Sequence, residues 1–246
     1  MNLLVCISKT PETTSKIAFI DNNTTFSIDG VQHIMNPYDE WYALVKALEV
    51  KEATGGKVTV INVGPAANDV IIRKALAIGA DEAVRINADP KSALFVAQEI
   101  AAYANDKAFE IILTGKETID YSGALVGGML AELMGTPFMS HASHLDVADG
   151  KATATCDIEG GVEIISSALP IVVSASKGLA EQRIPNMKGI MMAKRKPLNV
   201  VEPQAGSDNV EVKEFNLPAD KTGVKMVDAD NIDELVRLLH EEAKAI

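Results

Sequence analysis

Two stretches of the chain carry residue types that could do chemistry. The first runs from Gly115 to Gly135, where a β-like run enters the loop Gly115-Lys116-Glu117-Thr118-Ile119-Asp120-Tyr121-Ser122-Gly123 and continues into a glycine-containing helix. Unpaired backbone N–H groups at such a helix start can hold a phosphate without any lysine, and the carboxyl ends of parallel strands are where open α/β sheets bind ligands. Gly123, Gly127 and Gly128 either permit close approach of a ligand to the backbone or let the helix pack tightly on its sheet. The second stretch is Lys194-Arg195-Lys196, the only dense basic run, which follows a Met-rich segment at 187–192. Against a net charge of −11 it suits docking to an acidic partner, or else is a solvated loop.

Other chemistries find no support. No GxGxxG follows a strand, no GxxxxGK with Ser or Thr is present, and no His, Cys and Glu residues fall at metal-ligand spacing. His33, His141, His144 and His240 are scattered, and no serine sits in a GxSxG elbow, so no catalytic set emerges. Cys6 and Cys156 stand in strand-like apolar contexts and read as buried thiols. The acidic balance disfavours nucleic-acid binding, which rests on neutralising phosphates with Lys and Arg. There is no run of about 18 apolar residues, which argues against membrane insertion. The N-terminus, Met1-Asn2-Leu3-Leu4-Val5-Cys6, lacks the basic segment of a signal peptide, and the chain reads as soluble and cytoplasmic.

The elements that must position these stretches alternate short β-rich runs with segments of helical period. This is the pattern of an α/β fold, a mostly parallel sheet flanked by helices. Strands are expected at 3–8, Lys57–Val63, Glu82–Ile86 and 110–113. Asn36-Pro37-Tyr38-Asp39-Glu40 opens a helix that should run to Ala53 and stop at Gly55-Gly56. A second helix follows Gly64-Pro65 and ends at Gly79, and a third spans 92–104. Beyond Pro137 the runs 152–158 and 162–168, separated by Glu159-Gly160-Gly161, predict a β-hairpin extension, and Ile171–Ala175 a further strand. After Lys196-Pro197 the chain turns polar, with only 231–245 helical in pattern; this tail should pack on the domain or on another chain. The 246 residues, 47% of them apolar, suffice for one large core.

Several segments together resemble the electron-transfer flavoprotein β-subunit family over nearly the whole chain. They are Asn36-Pro37-Tyr38-Asp39-Glu40, Gly64-Pro65, the run Arg73-Lys74-Ala75-Leu76-Ala77-Ile78-Gly79-Ala80-Asp81, Gly115-Lys116 with Ile119-Asp120, Glu159-Gly160-Gly161 before Leu169-Pro170, and Arg183 leading into Met191-Met192-Ala193-Lys194. The resemblance implies a Rossmann-like, adenine-nucleotide-binding three-layer sandwich. It also implies a heterodimer whose α subunit carries most contacts to a redox-active FAD while the β subunit buries AMP. Neither subunit would be an enzyme by itself. Residues 1–196 would form the nucleotide-binding domain, with a recognition loop at about 182–196, and 197–246 an arm lying on the α subunit.

Position by position, the resemblance assigns AMP to Cys6, Asn36, Asp39, Asn62, Val63, Gly115, Asp120, Gly123, Ala124, Leu125 and Val126. Many AMP-binding relatives have polar side chains where this chain has Ala124, Leu125 and Val126, so phosphate must here be held by backbone N–H groups. In electron-bifurcating relatives the same cleft takes a second FAD. Arg183 would lie near the flavin at the subunit interface, where a cation favours reduced, anionic flavin. Met187 would be the apolar anchor that enters a pocket on acyl-CoA dehydrogenases, and Glu163 a carboxylate that contacts them. Electrons from fatty-acid β-oxidation would leave through a quinone oxidoreductase. The residues by themselves also leave open a free-standing adenine-nucleotide-binding stress domain or an ATP-cleaving enzyme of similar fold.

Overall fold

The computed structural model describes residues 1–206, 208–219 and 223–246. The chain opens with β1 (Asn2–Cys6), β2 (Lys9–Pro11), β3 (Phe19–Ile20), β4 (Thr25–Phe26) and β5 (His33–Met35). Helices and strands then alternate through α1 (Asp39–Thr54), β6 (Lys57–Val63), α2 (Asp69–Ile78), β7 (Glu82–Ile86), α3 (Ala93–Ala104), β8 (Ile111–Gly115) and α4 (Val126–Met134). The remainder comprises β9 (Phe138–Ala148), β10 (Lys151–Ile158), β11 (Gly161–Ala168), β12 (Ile171–Ala175), α5 (Met187–Ala193), β13 (Leu198–Val201) and α6 (Ile232–Arg237).

Among the described residues, nine strands form one sheet in the order β11-β10-β9-β12-β8-β1-β6-β7-β13. From β9 to β13 every neighbouring pair is parallel, and only β10 runs against its neighbours. The central strands are continuous apolar runs because both of their faces are covered. Leu3 and Val5 of β1 point into one core with Ala43, Leu44, Ile72 and Leu76 of α1 and α2. Leu4 points into the other, with Phe95 and Ile100 of α3 and Leu130 of α4. The result is the expected α/β sandwich of helices, sheet and helices.

Local chemistry fixes the helix ends. Ser92 caps α3 by accepting the Phe95 N–H at 3.1 Å. Asp39 and Glu40 occupy the positive first turn of α1, after Tyr38 has turned the backbone to a φ of 63°. β6 and β7 coincide with the expected strands, and β10 with β11 forms the expected hairpin. Several elements differ from expectation. α2 is preceded by a short 3₁₀ turn at Ala66–Asn68, and the terminal helix is α6 followed by a π turn at Leu238–Glu242. The segment expected as an arm begins as β13, the edge strand beside β7. It continues along α3, where Glu99 accepts the N–H groups of Gln204 at 2.9 Å and Ala205 at 2.8 Å. Farther on, Phe215 stacks on Phe19 with ring centres 4.9 Å apart. No helix among the described residues is long and apolar enough to cross a membrane.

Candidate functional site

The carboxyl ends of β8, β1 and β6 lie side by side, and the loop after β8 leads from this end of the sheet into α4. Asn36, fully buried immediately after β5 at the start of the connection to α1, holds that loop in shape. Its Nδ2 donates to the Glu117 carbonyl at 3.0 Å and its Oδ1 accepts the Ile119 N–H at 3.0 Å, while its own N–H donates to the Ser8 carbonyl at 2.9 Å. Gly115 lets the strand end touch the start of α1: a Cβ there would lie 2.8 Å from Glu40 Cγ and 3.1 Å from the Glu40 nitrogen. Past Asp120, Ser122 and Ala124 take φ values of 47° and 51°, a conformation that turns successive amides outward. Among the described residues, the N–H groups of Gly123, Ala124, Leu125 and Val126 meet no protein acceptor. They precede the positive end of α4, and nothing would crowd a substituent at Gly123. The loop therefore presents four backbone donors without internal acceptors, the kind of group that can hold an anion.

Charged groups surround the loop unevenly. Asp39 is half-buried; burial raises its carboxyl, while Lys116, the Glu117 N–H and His141 partly offset that effect. With Tyr38, Tyr42, Lys116 and Lys177 it lines a surface cleft of about 320 Å³. Glu40 lies deeper, 6% exposed, with one carboxylate oxygen accepting the Ser8 N–H at 2.7 Å and the other the Ser8 hydroxyl. Burial pushes its pKa up to about 8 despite those bonds, and neighbouring Asp120 and Asp39 add to the rise. Burial first, and Glu40 second, push the Cys6 thiol far above its ordinary range, so Cys6 is a wall of the site rather than a nucleophile. At the end of β6, the Asn62 Nδ2 donates to the Ile7 carbonyl at 2.8 Å and its Oδ1 accepts from Asn68 Nδ2 at 3.0 Å. The Asn68 Oδ1 beside it is buried with no partner among the described residues.

The fold thus gathers Cys6, Asn36, Asp39, Asn62, Val63, Gly115, Asp120 and residues 123–126 at one end of three adjacent strands. The other three expected residues lie elsewhere. Glu163 is exposed on the edge strand β11, opposite Cys156. Met187 opens α5 with 75% of its surface exposed, and Asn186 caps that helix by accepting the Gly189 N–H at 2.8 Å. Arg183 forks Glu52 of α1 at 2.6 and 3.0 Å, and its carbonyl accepts from Trp41 Nε1 at 3.1 Å. Sequence reasoning missed the Ser8–Glu40 pair and the cations Lys116 and Lys177 as parts of the site. Glu40 was visible as an acid at a helix start, but its burial is set by strands distant in sequence. Among the described residues, no group of His, Cys, Asp and Glu could hold a metal ion.

Comparison with known proteins bears directly on this geometry. The electron transfer flavoprotein domain matches residues 24–205. The chain is 36% identical to the electron transfer flavoprotein subunit beta of Bacillus subtilis (strain 168), covering 100% of both chains. It is 33% identical to that of Syntrophomonas wolfei, over 94% of this chain and 92% of the relative, and 31% identical to that of Mycobacterium leprae, over 97% of each. A sheet whose central strands converge on an amide-lined loop, matched over its whole length by β subunits of this kind, belongs to the electron transfer flavoprotein family as a β subunit.

Proposed function

We propose that this β subunit pairs with an α subunit, holds AMP in the cradle at the ends of β8, β1 and β6, and forms the fixed base of an electron carrier. The observation that carries the reading is the Asn36-clamped loop, which presents the N–H groups of Gly123 to Val126 without internal acceptors. The donor set fits a nucleoside monophosphate. Amides can take the phosphate although the side chains of Ala124, Leu125 and Val126 cannot, and Asn68 Oδ1 offers a buried acceptor at the neighbouring strand end. In this reading FAD, held mostly by the α subunit, supplies the redox chemistry. The β chain binds and orients: it fixes the nucleotide, keeps water from the strand ends and presents a docking surface. Acyl-CoA and other flavoprotein dehydrogenases are the electron donors and a quinone oxidoreductase the acceptor. Arg183 would have to leave Glu52 to approach the flavin; an exposed pair of this kind is worth only about 0–1 kcal/mol, so the exchange is inexpensive.

The test is co-expression with an α subunit, purification of the heterodimer, and chromatographic quantification of released FAD and AMP. One FAD with one AMP per heterodimer supports the reading. Two FAD without AMP would replace it with a bifurcating carrier, and a stable monomer that hydrolyses ATP would overturn it.

Docking is assigned to the exposed start of α5. Met187 is too exposed to serve the core, and a flexible thioether can fill differently shaped pockets. Met187→Ala is expected to raise the KM for a reduced acyl-CoA dehydrogenase about tenfold, the loss of one modest anchor. Heterodimer formation and FAD content should stay at wild-type levels; a loss of FAD would make the residue structural.

A further inference from the structure

The docking helix α5 has seven residues, of which only Ala193 is buried, so its own packing cannot hold it in place. Its last carbonyls also lack partners within the helix. Two cations meet these needs reciprocally. Arg73, on α2, donates through Nη1 to the carbonyls of Ala193 at 2.8 Å and Lys196 at 2.7 Å, closing the end of α5. Lys196, just beyond α5, donates through Nζ to the carbonyls of Leu76 at 2.9 Å and Ala80 at 2.5 Å, closing the end of α2. Each positive charge thereby lies at the negative end of the other helix. Between the two locks the backbones nearly touch, since a Cβ on Gly189 would lie 2.4 Å from the Ala77 carbonyl oxygen. Met187 and Met191 meanwhile remain 75% and 68% exposed.

We propose that Arg73 and Lys196 are positioning residues that lock α5 onto α2, so that its apolar side chains are presented to the electron donor already ordered. The inference rests on the docking role assigned to α5. Binding through a preordered element avoids the entropic cost of ordering it on contact. The locks therefore act on encounter with the donor and leave later steps unchanged.

The experiment uses the intact heterodimer with Arg73→Met and Lys196→Met, each keeping an apolar stem and removing the donor. Hydrogen exchange of the α5 amides and steady-state reduction by an acyl-CoA dehydrogenase are measured together. Expected are α5 exchange about tenfold faster or more, KM raised about five- to tenfold, and unchanged kcat and FAD content. Arg73→Lys should recover part of the KM loss, because a single ammonium can still reach a carbonyl. Should one variant fail to fold, the other tests the same lock from the opposite helix. Exchange or KM at the wild-type value in a folded variant, with KM raised in Met187→Ala, overturns the lock alone. Wild-type KM in the lock variants and in Met187→Ala overturns the docking role and this inference with it.

Discussion

Between pH 5 and pH 8 the folded chain should lose on the order of 4 kcal/mol of stability through Glu40 alone, and Glu40→Gln should remove that loss. The carboxyl is buried against Gly115 and Ser8, and its pKa is raised from 4.5 to about 8. In the window between those values the folded chain holds a proton that the unfolded chain has released. Stability therefore falls as pH rises from about 4.5 to about 8 and is level above it, at about 1.4 kcal/mol per pH unit within the window. The glutamine amide resembles the protonated acid: its oxygen can accept the Ser8 N–H and its NH₂ can donate to the Ser8 hydroxyl. It has no charge to bury at any pH.

Urea denaturation of both proteins at pH 5, 6, 7 and 8 measures the effect. The variant should match wild type near pH 5 and exceed it near pH 8, with the difference growing steadily between. Other carboxyls contribute to each curve, but the difference between the two isolates Glu40. A pH-independent difference would mean that Glu40 stays ionised across this range, its two bonds to Ser8 offsetting its burial.

How much was legible in the sequence depends on the sequence distance over which each feature is decided. Lys57–Val63 and Glu82–Ile86 are readable to the residue because short runs rich in Val and Ile stand between glycine-marked breaks at Gly55-Gly56, Gly64-Pro65 and Gly79. β9 was missed for the complementary reason. Phe138–Ala148 includes His141, Ser143, His144 and Asp146, and it bulges at His141, where φ is 52°. Its polar alternation resembles a loop until β10 and β12 are placed beside it. β13 was hidden at the head of a polar tail because Leu198–Val201 is only four residues long, too short for alternation or a sustained apolar run to declare a strand.

The site divides along the same line. The loop between β8 and α4 could be placed locally, since a strand running through glycine into a glycine-containing helix marks itself in sequence. Asn36 could be singled out only through a family motif, because its partners at 117 and 119 are about 80 residues away. The Ser8–Glu40 pair and the Arg73–Lys196 locks join residues separated by 32 and more than 100 positions. No periodicity or spacing announces them. Arg73 stood out only as the start of a family motif, and Lys196 only as the end of a basic run.

The second large effect is expected from exchanging one atom type. Asn36→Asp keeps the oxygen that accepts the Ile119 N–H but replaces the donor to the Glu117 carbonyl with a second acceptor. At pH 8 a buried carboxylate then faces a carbonyl oxygen, and the loop loses one tether while repelling the other side of it. A cost of about 3 kcal/mol in stability is expected, within the range for orphaning a buried charged group. Because that loop carries the N–H groups from Gly123 to Val126, the variant heterodimer should also purify with little or no AMP. Protonation restores a donor, since an un-ionised carboxyl can place its O–H toward the Glu117 carbonyl. Its burial favours that form, so the stability deficit should shrink as pH falls through the raised pKa of the new carboxyl, whereas Asn36→Ala should show a deficit independent of pH. Retention of AMP by both variants at pH 8 would show that the loop holds its shape without Asn36, and the cradle would then owe its order to Gly115 and the end of β8.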